Sequence, residues 1–436
     1  MSRARRLLSS TFDSLRVRNY RLFFMGQVVS VTGSWMQRVA QAWLVLHLSG
    51  SGLALGLVTG LQFLPVLLAG PWSGLVADRV DKRRLLYWTQ GAMGLLALAL
   101  GWLTITGSVR LWMVYLLALL LGCVTAVDNP ARQAFVTEMV GRRKVMNAVS
   151  LNSAVFTAAR VVGPAAAGLL INAVGTGWCF VINAFSFLAV LLALALMRSA
   201  ELLPPTPVTR GPGQVRAGFA HAWSRLDLRI PLLLMGVVGT LALNFSVVLP
   251  LLASQTFHGN AGTYGLLFST LGFGSLLGAL FTAGRREPSR RFLLGSLLVF
   301  GVLMLLAAGA PSLWLELALL VPLGVASIAF QATGNSMLQV HSDPELRGRV
   351  MALYGVVFLG TTPIGAPIVG WVSEQFGPRA GLALGGAAIL VTLVAFAGWR
   401  WIARRNPGSR DPSPALANPH QASKDRAGCA GPVLRG

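Results

Sequence analysis

Charge is scarce in this chain, and acid is scarcer. Lys, Arg, Asp and Glu make up 11% of the 436 residues, where a soluble globular chain carries about 25%. An ordinary soluble domain is thereby excluded. Fourteen acidic residues stand against 36 basic ones, a formal net charge of +22. In a soluble protein such an excess would point to nucleic acid. No nucleic-acid partner is expected here, because the basic residues fall almost entirely in alternate connections between apolar runs. Three cysteines, Cys123, Cys179 and Cys429, have no paired spacing and support neither a disulfide framework nor a thiolate metal site. The histidines, His47, His221, His258, His341 and His420, are scattered without ligand spacing. No G-x-x-x-x-G-K-[ST] loop is there to cradle a nucleotide, and position suggests no Ser/His/Asp or Cys/His set. The chain does not read as an enzyme and calls for no metal or cofactor. Uphill work would have to draw on an ion gradient, and a proton gradient is the expected source.

What the chain has in quantity is apolar sequence: 54% hydrophobic residues and a mean hydropathy of +0.66. Runs of spanning length, about 20 residues each, lie near 20–46, 53–77, 83–106, 111–131, 147–173 and 177–197. They resume near 230–253, 262–283, 292–310, 313–336, 350–374 and 379–402. The expected fold is an all-α integral membrane protein of about twelve transmembrane helices in two six-helix bundles. Basic residues gather at Arg3–Arg21, Arg79–Arg84, Arg142–Lys144, Arg198–Arg229, Arg285–Arg291, Arg347–Arg349 and beyond Arg400. The intervening connections contribute only Arg110 and Arg379. That alternation puts both termini and the 79–84 turn in the cytoplasm. The expected organisation is a basic cytoplasmic segment 1–18, a bundle 19–197, a cytoplasmic connector 198–229, a second bundle 230–403 and a disordered cytoplasmic tail 404–436. The first run is too long for a signal h-region and is read as a retained span. Within the connector, Val215, Phe219, Trp223 and Leu226 recur at helical spacing, the pattern of a helix lying along the membrane surface.

An internal repeat relates the halves. Leu111-Trp112 recurs as Leu313-Trp314, Gly122 as Gly324, Gly163 and Gly168 as Gly365 and Gly370, and Gly175 as Gly377. Two halves that both start inside are related by an axis along the membrane normal, with a site expected between them.

The densest charged block, Gly74-Leu-Val-Ala-Asp78-Arg79-Val-Asp-Lys82-Arg83-Arg84-Leu-Leu, lies between the second and third runs. It resembles the loop signature of the major facilitator superfamily, G-x-L-a-D-r-x-G-r-k-x-x-l, through Gly74, Ala77, Asp78, Arg79, Lys82, Arg83 and Leu86. Val76 replaces the leucine and Asp81 the second glycine, so the turn is expected to differ there. Arg160-Val-Val-Gly163-Pro164-Ala-Ala-Ala-Gly168 resembles the fifth-helix motif of exporters in that superfamily through Gly163, Pro164 and Gly168, with Ala159 and Ala167 where glycines are usual. Simple helix packing by small residues is an equally good reading of that stretch. Ser34-Trp35-Met36-Gln37, Trp43-Leu-Val and Pro130-Ala-Arg-Gln133 bring the likeness closer to the branch with enterobactin exporters and macrolide efflux proteins.

The resemblance implies alternating access by a bacterial inner- or plasma-membrane transporter, a drug:proton antiporter in kind. It would export small drug- or siderophore-like molecules, and a monomer is expected. Gly74, Asp78, Arg79, Lys82, Arg83 and Asp128 would latch the cytoplasmic side. Asp128 is expected near the level of Lys82 and Arg83, as a structural ion pair or, alternatively, as a proton carrier. An importer of small solutes and a lipid or lysolipid flippase remain alternatives.

Polar residues inside the runs are the candidate cavity. Gln27, Ser30, Ser34, Gln37 or Arg38, and Gln41 recur three and four apart on one helix face, either as a substrate-facing wall or as buried, hydrogen-bonded packing. Arg38 and Arg160 are intramembrane cations, which mark a pathway or a paired structural site. Thr157 shares the face of Arg160. Asn244, Gln331 and Asn335 are the candidates from the second half. The two arginines suit anionic or acceptor-rich substrates, a structural role being the competing reading. A cysteine placed at Arg83 should react with a membrane-impermeant thiol reagent only after the cytoplasmic face is opened; labelling of intact cells would overturn the topology.

Overall fold

The computed structural model describes residues 12–203, 214–285, 287–343 and 346–405, and among these every regular element is helical. Six long helices come first: α1 Arg18–Ser49, α2 Gly52–Arg79, α3 Lys82–Ile105, α4 Leu111–Gly141, α5 Arg143–Val174 and α6 Thr176–Ala195. A short helix α7, Gln214–Ser224, leads into α8 Leu226–Thr256, α9 Ala261–Ala283, α10 Arg290–Ala308, α11 Leu313–His341, α12 Arg347–Phe376 and α13 Pro378–Arg405. Among the described residues, eleven helices are long and apolar enough to cross a membrane: all but α1 and α7. At 32 residues, α1 has the length, about 48 Å at 1.5 Å per residue. Its polar stripe lowers its hydropathy, so it is the twelfth long helix without meeting that composition.

Residues 1–392 form one compact unit, which holds everything discussed below; in the second unit, 393–436, α13 continues and Arg400 Cζ stands 6.0 Å from the Phe396 ring. Of the expected terminal segments 1–18 and 404–436, residues 1–11 and 406–436 lie outside the described residues.

Helix ends follow local chemistry. Ser51, Asp81, Asn260, Ser289 and Ser312 each cap a helix N-terminus with a side-chain oxygen, satisfying an otherwise orphaned N–H. Asp81 thus has its own use where the signature has glycine: it accepts from Arg84 N at 2.9 Å and starts α3. Two expectations are corrected here. The basic connection 132–146 is not a loop, because helix runs through it with only Gly141, at φ 70°, breaking the run Leu111–Val174. Leu226 belongs to α8, not to the connector helix, where Phe219 and Trp223 lie exposed with stacked rings 5.4 Å apart.

The repeat in the sequence is a repeat of contacts. On Gly122 of α4 a Cβ would collide with Gln62 O of α2; on Gly324 of α11 it would collide with Leu271 O of α9. Gly163 of α5 lies against Thr32 and Trp35 of α1, while Gly365 of α12 lies against Thr240 of α8. Gly168 of α5 meets Ala261 and Gly262 of α9, and Gly370 of α12 meets Gly52 of α2. The first two pairings build each half; the third joins the halves. Large side chains such as Trp88, Leu95, Trp102, Leu169, Trp178 and Trp314 stand exposed on the spanning helices, as a hydrocarbon solvent allows.

Overpacking a well-filled contact costs about 1–3 kcal/mol. Gly122→Val and Gly324→Val should each lower the melting midpoint in detergent. Gly91→Ala, at a position with nothing within 4 Å, should leave it unchanged.

Candidate functional site

Where the halves meet, a cavity of about 190 Å³ is lined from both sides. The first half contributes Trp35, Arg38, Gln41, Gln62 and Arg160; the second contributes Asn244, Tyr264 and Phe268 among others. Among the described residues no Asp or Glu lines it. Arg38 Cζ lies 4.6 Å and Arg160 Cζ 5.8 Å from the centre of the Trp35 ring, distances at which a guanidinium is attracted to an indole face. Trp35 also meets Phe156 of α5 at 5.5 Å and Phe268 of α9 at 5.9 Å. One indole therefore touches both cations and both halves. Neither arginine has an ion-pair partner among the described residues, and Arg160 Nε is buried without a hydrogen-bond acceptor.

Asn244 enters the cavity through an interruption in its helix. Around it α8 passes from a π-helical stretch, Val238–Ala242, through the non-helical Leu243 and Asn244 to Phe245–Leu251. Its side chain donates to Thr240 O at 2.7 Å, taking up a carbonyl the interruption would otherwise free. Irregular backbone at membrane depth is tolerated where it lines a cavity. Of the other expected cavity residues, Gln37 accepts from Asn183 of α6. Thr157 and Gln331 donate back to their own helices, at Ser153 O and Ser327 O, and Asn335 accepts from Gln339. None of these four lines the cavity. The polar stripe of α1 thus divides: Arg38 and Gln41 face the cavity, Gln37 packs on α6, and Gln27 accepts from Arg132 of α4 at 3.1 Å. In the sequence Trp35 carries only a family likeness, and helical periodicity holds no sign of its double cation contact.

At the basic ends of α3 and α4 the expected pairing is corrected. Lys82 pairs with Glu138 at 2.7 Å, and Arg83 donates to Leu194 O at 2.7 Å and to Ser199 Oγ. Asp128 instead pairs with Arg132 at 3.5 Å and accepts from Thr89 at 2.7 Å and Gln90 at 2.8 Å. The reason is register. α3 and α4 run antiparallel, so Lys82 in the first turn of α3 is level with Glu138 near the end of α4, while Asp128 is level with residues two turns further along α3. The backbone of Gly74, Asp78 and Arg79 forms the last turns of α2, but their side chains lie outside the described residues.

The other end of the seam is shut. Glu374 of α12 accepts from Ser51 Oγ at 2.5 Å and from Leu53 N at 2.9 Å, so a carboxylate from one half caps a helix of the other. Gly56 lies against Ala366 and Gly60 against Pro363. On the second seam, Gly265 lies against Pro164, Gly272 against Arg160, and Ser269 donates to Val161 O at 2.8 Å. Gly163, Pro164 and Gly168 thus lie in helix contacts, Gly163 within the first half and the other two across the seam.

Residues 9–433 match the family described as transmembrane secretion effector. The chain belongs to this family of the major facilitator superfamily. It is a multi-pass membrane transporter of the secretion and export type and not an enzyme. The staphyloferrin A transporter of Staphylococcus aureus is 25% identical over 382 residues, covering 86% of this chain and 94% of that protein. An enterobactin exporter of Shigella boydii is 26% identical over 390 residues, covering 85% and 89%. Among solved structures, a POT family transporter in complex with a thioalcohol-conjugated peptide has a TM-score of 0.71 at 11% identity, covering 88% of this chain and 96% of that one. The nucleoside transporter NupG has a TM-score of 0.66 at 14% identity, covering 87% and 98%. At such identities these two structures speak for the major facilitator fold alone.

In this secretion-family transporter the Lys82–Glu138 pair is nearly buried, at 7% and 14% side-chain exposure. Removing one partner of such a pair costs about 3–5 kcal/mol, whereas an apolar replacement of both costs far less. Glu138→Ala should lower the melting midpoint in detergent markedly, and Lys82→Met with Glu138→Leu should recover most of the loss.

Proposed function

We propose that this protein is a secondary active exporter of small anionic, drug- or siderophore-like molecules, driven by proton antiport and working by alternating access. The observation that carries the reading is the pair of guanidiniums held over one indole in a seam cavity that no carboxylate lines. Two like charges in a poorly solvated site repel strongly, and an anion bound between them relieves that repulsion. The indole and the Phe and Tyr rings suit a planar or aromatic body, while Gln41, Gln62 and Asn244 offer amide groups to its polar edge.

Export rather than uptake is supported by the family's description and by the enterobactin exporter among the relatives. The alternation of basic connections orients the basic ends of the helices to the cytoplasm, with both termini there. In that orientation the shut end at Glu374 faces outward and closes the cavity to the outside. The working unit is taken to be a monomer, because the cavity is built wholly from one chain.

The test is efflux of a panel of organic anions, cations and neutral compounds in inverted vesicles, energised and then treated with a proton uncoupler. Anionic compounds should accumulate, and the uncoupler should abolish it. A charge-assisted contact contributes about 1.5–3 kcal/mol, so Arg160→Ala and Arg38→Ala should each cut anion transport at least about tenfold while the protein still inserts. Full retained transport in both variants would end this reading of the cavity.

A further inference from the structure

An antiporter needs a group that takes a proton on one side and gives it up on the other, and the seam cavity has no carboxyl of its own. The acids elsewhere in the described residues are nearly all engaged. Asp13, Asp128, Glu138, Glu201 and Asp343 are in ion pairs, Asp81 caps α3, and Glu374 caps α2. Asp227 and Glu287 are exposed.

Glu316 differs from all of these. It lies in the first turn of α11 with its side chain 0% exposed, and both carboxyl oxygens are buried without a hydrogen-bond partner. A buried ion with no donors is far costlier than a buried neutral acid. We infer that Glu316 is the proton-binding group of this transporter: it takes a proton from outside when the Glu374 end opens, holds it buried while that end is shut, and gives it up towards the cytoplasm when the substrate anion binds. The inference rests on the proton-antiport reading above.

The surroundings supply a way to switch it. Arg379, at the start of α13, is its charged neighbour, but the guanidinium donates to Ala310 O at 2.6 Å instead of pairing with the carboxyl. A turn of that guanidinium from Ala310 O to Glu316 would stabilise the carboxylate, as would the N-terminus of α11. Among the described residues at that end, α9, which packs along α11, brings Tyr264, with His258 in the turn before α9. Arg379 is also tied to the seam by covalent chain. Five residues before it stands Glu374, and between them Gly377, at φ 89°, joins α12 to α13. Opening the shut end withdraws Glu374 from Ser51 and Leu53. The same movement of α12 draws Arg379 and the connection at Gly377 away from Glu316 and opens the carboxylate to outside water, so uptake of the proton and movement of the seam become one event. The step itself is simple: a proton from outside water adds to a carboxylate oxygen of Glu316, and the O–H bond later breaks to water on the cytoplasmic side, against the outward path of the substrate.

The proton can be followed directly. Infrared difference spectra of the purified full-length protein in lipid, taken between acid and alkaline pH, should contain the C=O stretch of a protonated carboxyl. That band should vanish in Glu316→Gln, shift in Glu316→Asp and persist in Glu374→Gln. In vesicles, Glu316→Gln should keep exchange of the panel compound that wild type extrudes, while its gradient-driven accumulation falls at least tenfold. A wild-type spectrum without the band, or one unchanged by both Glu316 substitutions, overturns the inference. Wild-type efflux that ignores an uncoupler instead overturns proton antiport itself, so the two failures are told apart.

Discussion

Where α2 meets α12 and α5 meets α9, main chain lies against main chain. Gly52 faces Gly370, Gly56 faces Ala366, Gly168 faces Gly262, and Gly272 rests on the carbonyl of Arg160. Lipid tails are as apolar as leucine, so no hydrophobic difference drives two spanning helices together, and dispersion at close approach has to do so. Small residues at the seam allow that approach, and they also make it reversible, because few interlocking side chains have to unpack. The cavity is a product of the same packing. Arg160 projects from the helix whose backbone Gly272 touches, and Trp35 bridges α5 and α9 through Phe156 and Phe268. A molecule bound to the guanidiniums therefore presses on the very contacts that hold the halves together.

Much of this architecture was legible in the sequence, because its signals are one-dimensional. Run length and alternation of charge located the helices, and the recurrent Gly122/Gly324, Gly163/Gly365 and Gly168/Gly370 foretold equivalent contacts in the two halves. What could not be read is register between helices. Asp128 and Lys82 are near one another along the membrane normal by residue counting, yet antiparallel packing gives Lys82 to Glu138 and leaves Asp128 with Thr89, Gln90 and Arg132. A polar stripe on α1 likewise says that the face is inside, not whether a given amide meets a cavity or a neighbour. Gln37 and Arg38 are adjacent in sequence and have opposite fates. The interruption of α8 at Asn244 had no local breaker at that position, since Pro231 and Pro250 stand well to either side.

The polar groups sort by burial and by the company they keep. Near the basic ends, charges are paired or bonded to main-chain carbonyls, as Lys82, Arg83 and Arg132 are. Further in, Arg38 and Arg160 lean on an aromatic face instead, an arrangement that holds a cation without neutralising it. The charges at the basic ends are thus satisfied in place, and the two unpaired guanidiniums line the seam cavity.

The links inside each half have a further consequence for movement. Only Val80 and Asp81 separate α2 from α3, Gly141 is the sole break in the run from α4 to α5, and Gly175 alone stands between α5 and α6. Helices so tightly tethered have little room to slide singly past one another, and a movement of the first half would carry them together. The two halves are joined through residues 196–225, of which 196–203 bond to the first half through Leu203 N and Glu138 O and 214–224 form α7. Polypeptide continuity there is a convenience of synthesis more than a mechanical need, and a chain cut at that point would be expected to reassemble from its two pieces within the bilayer.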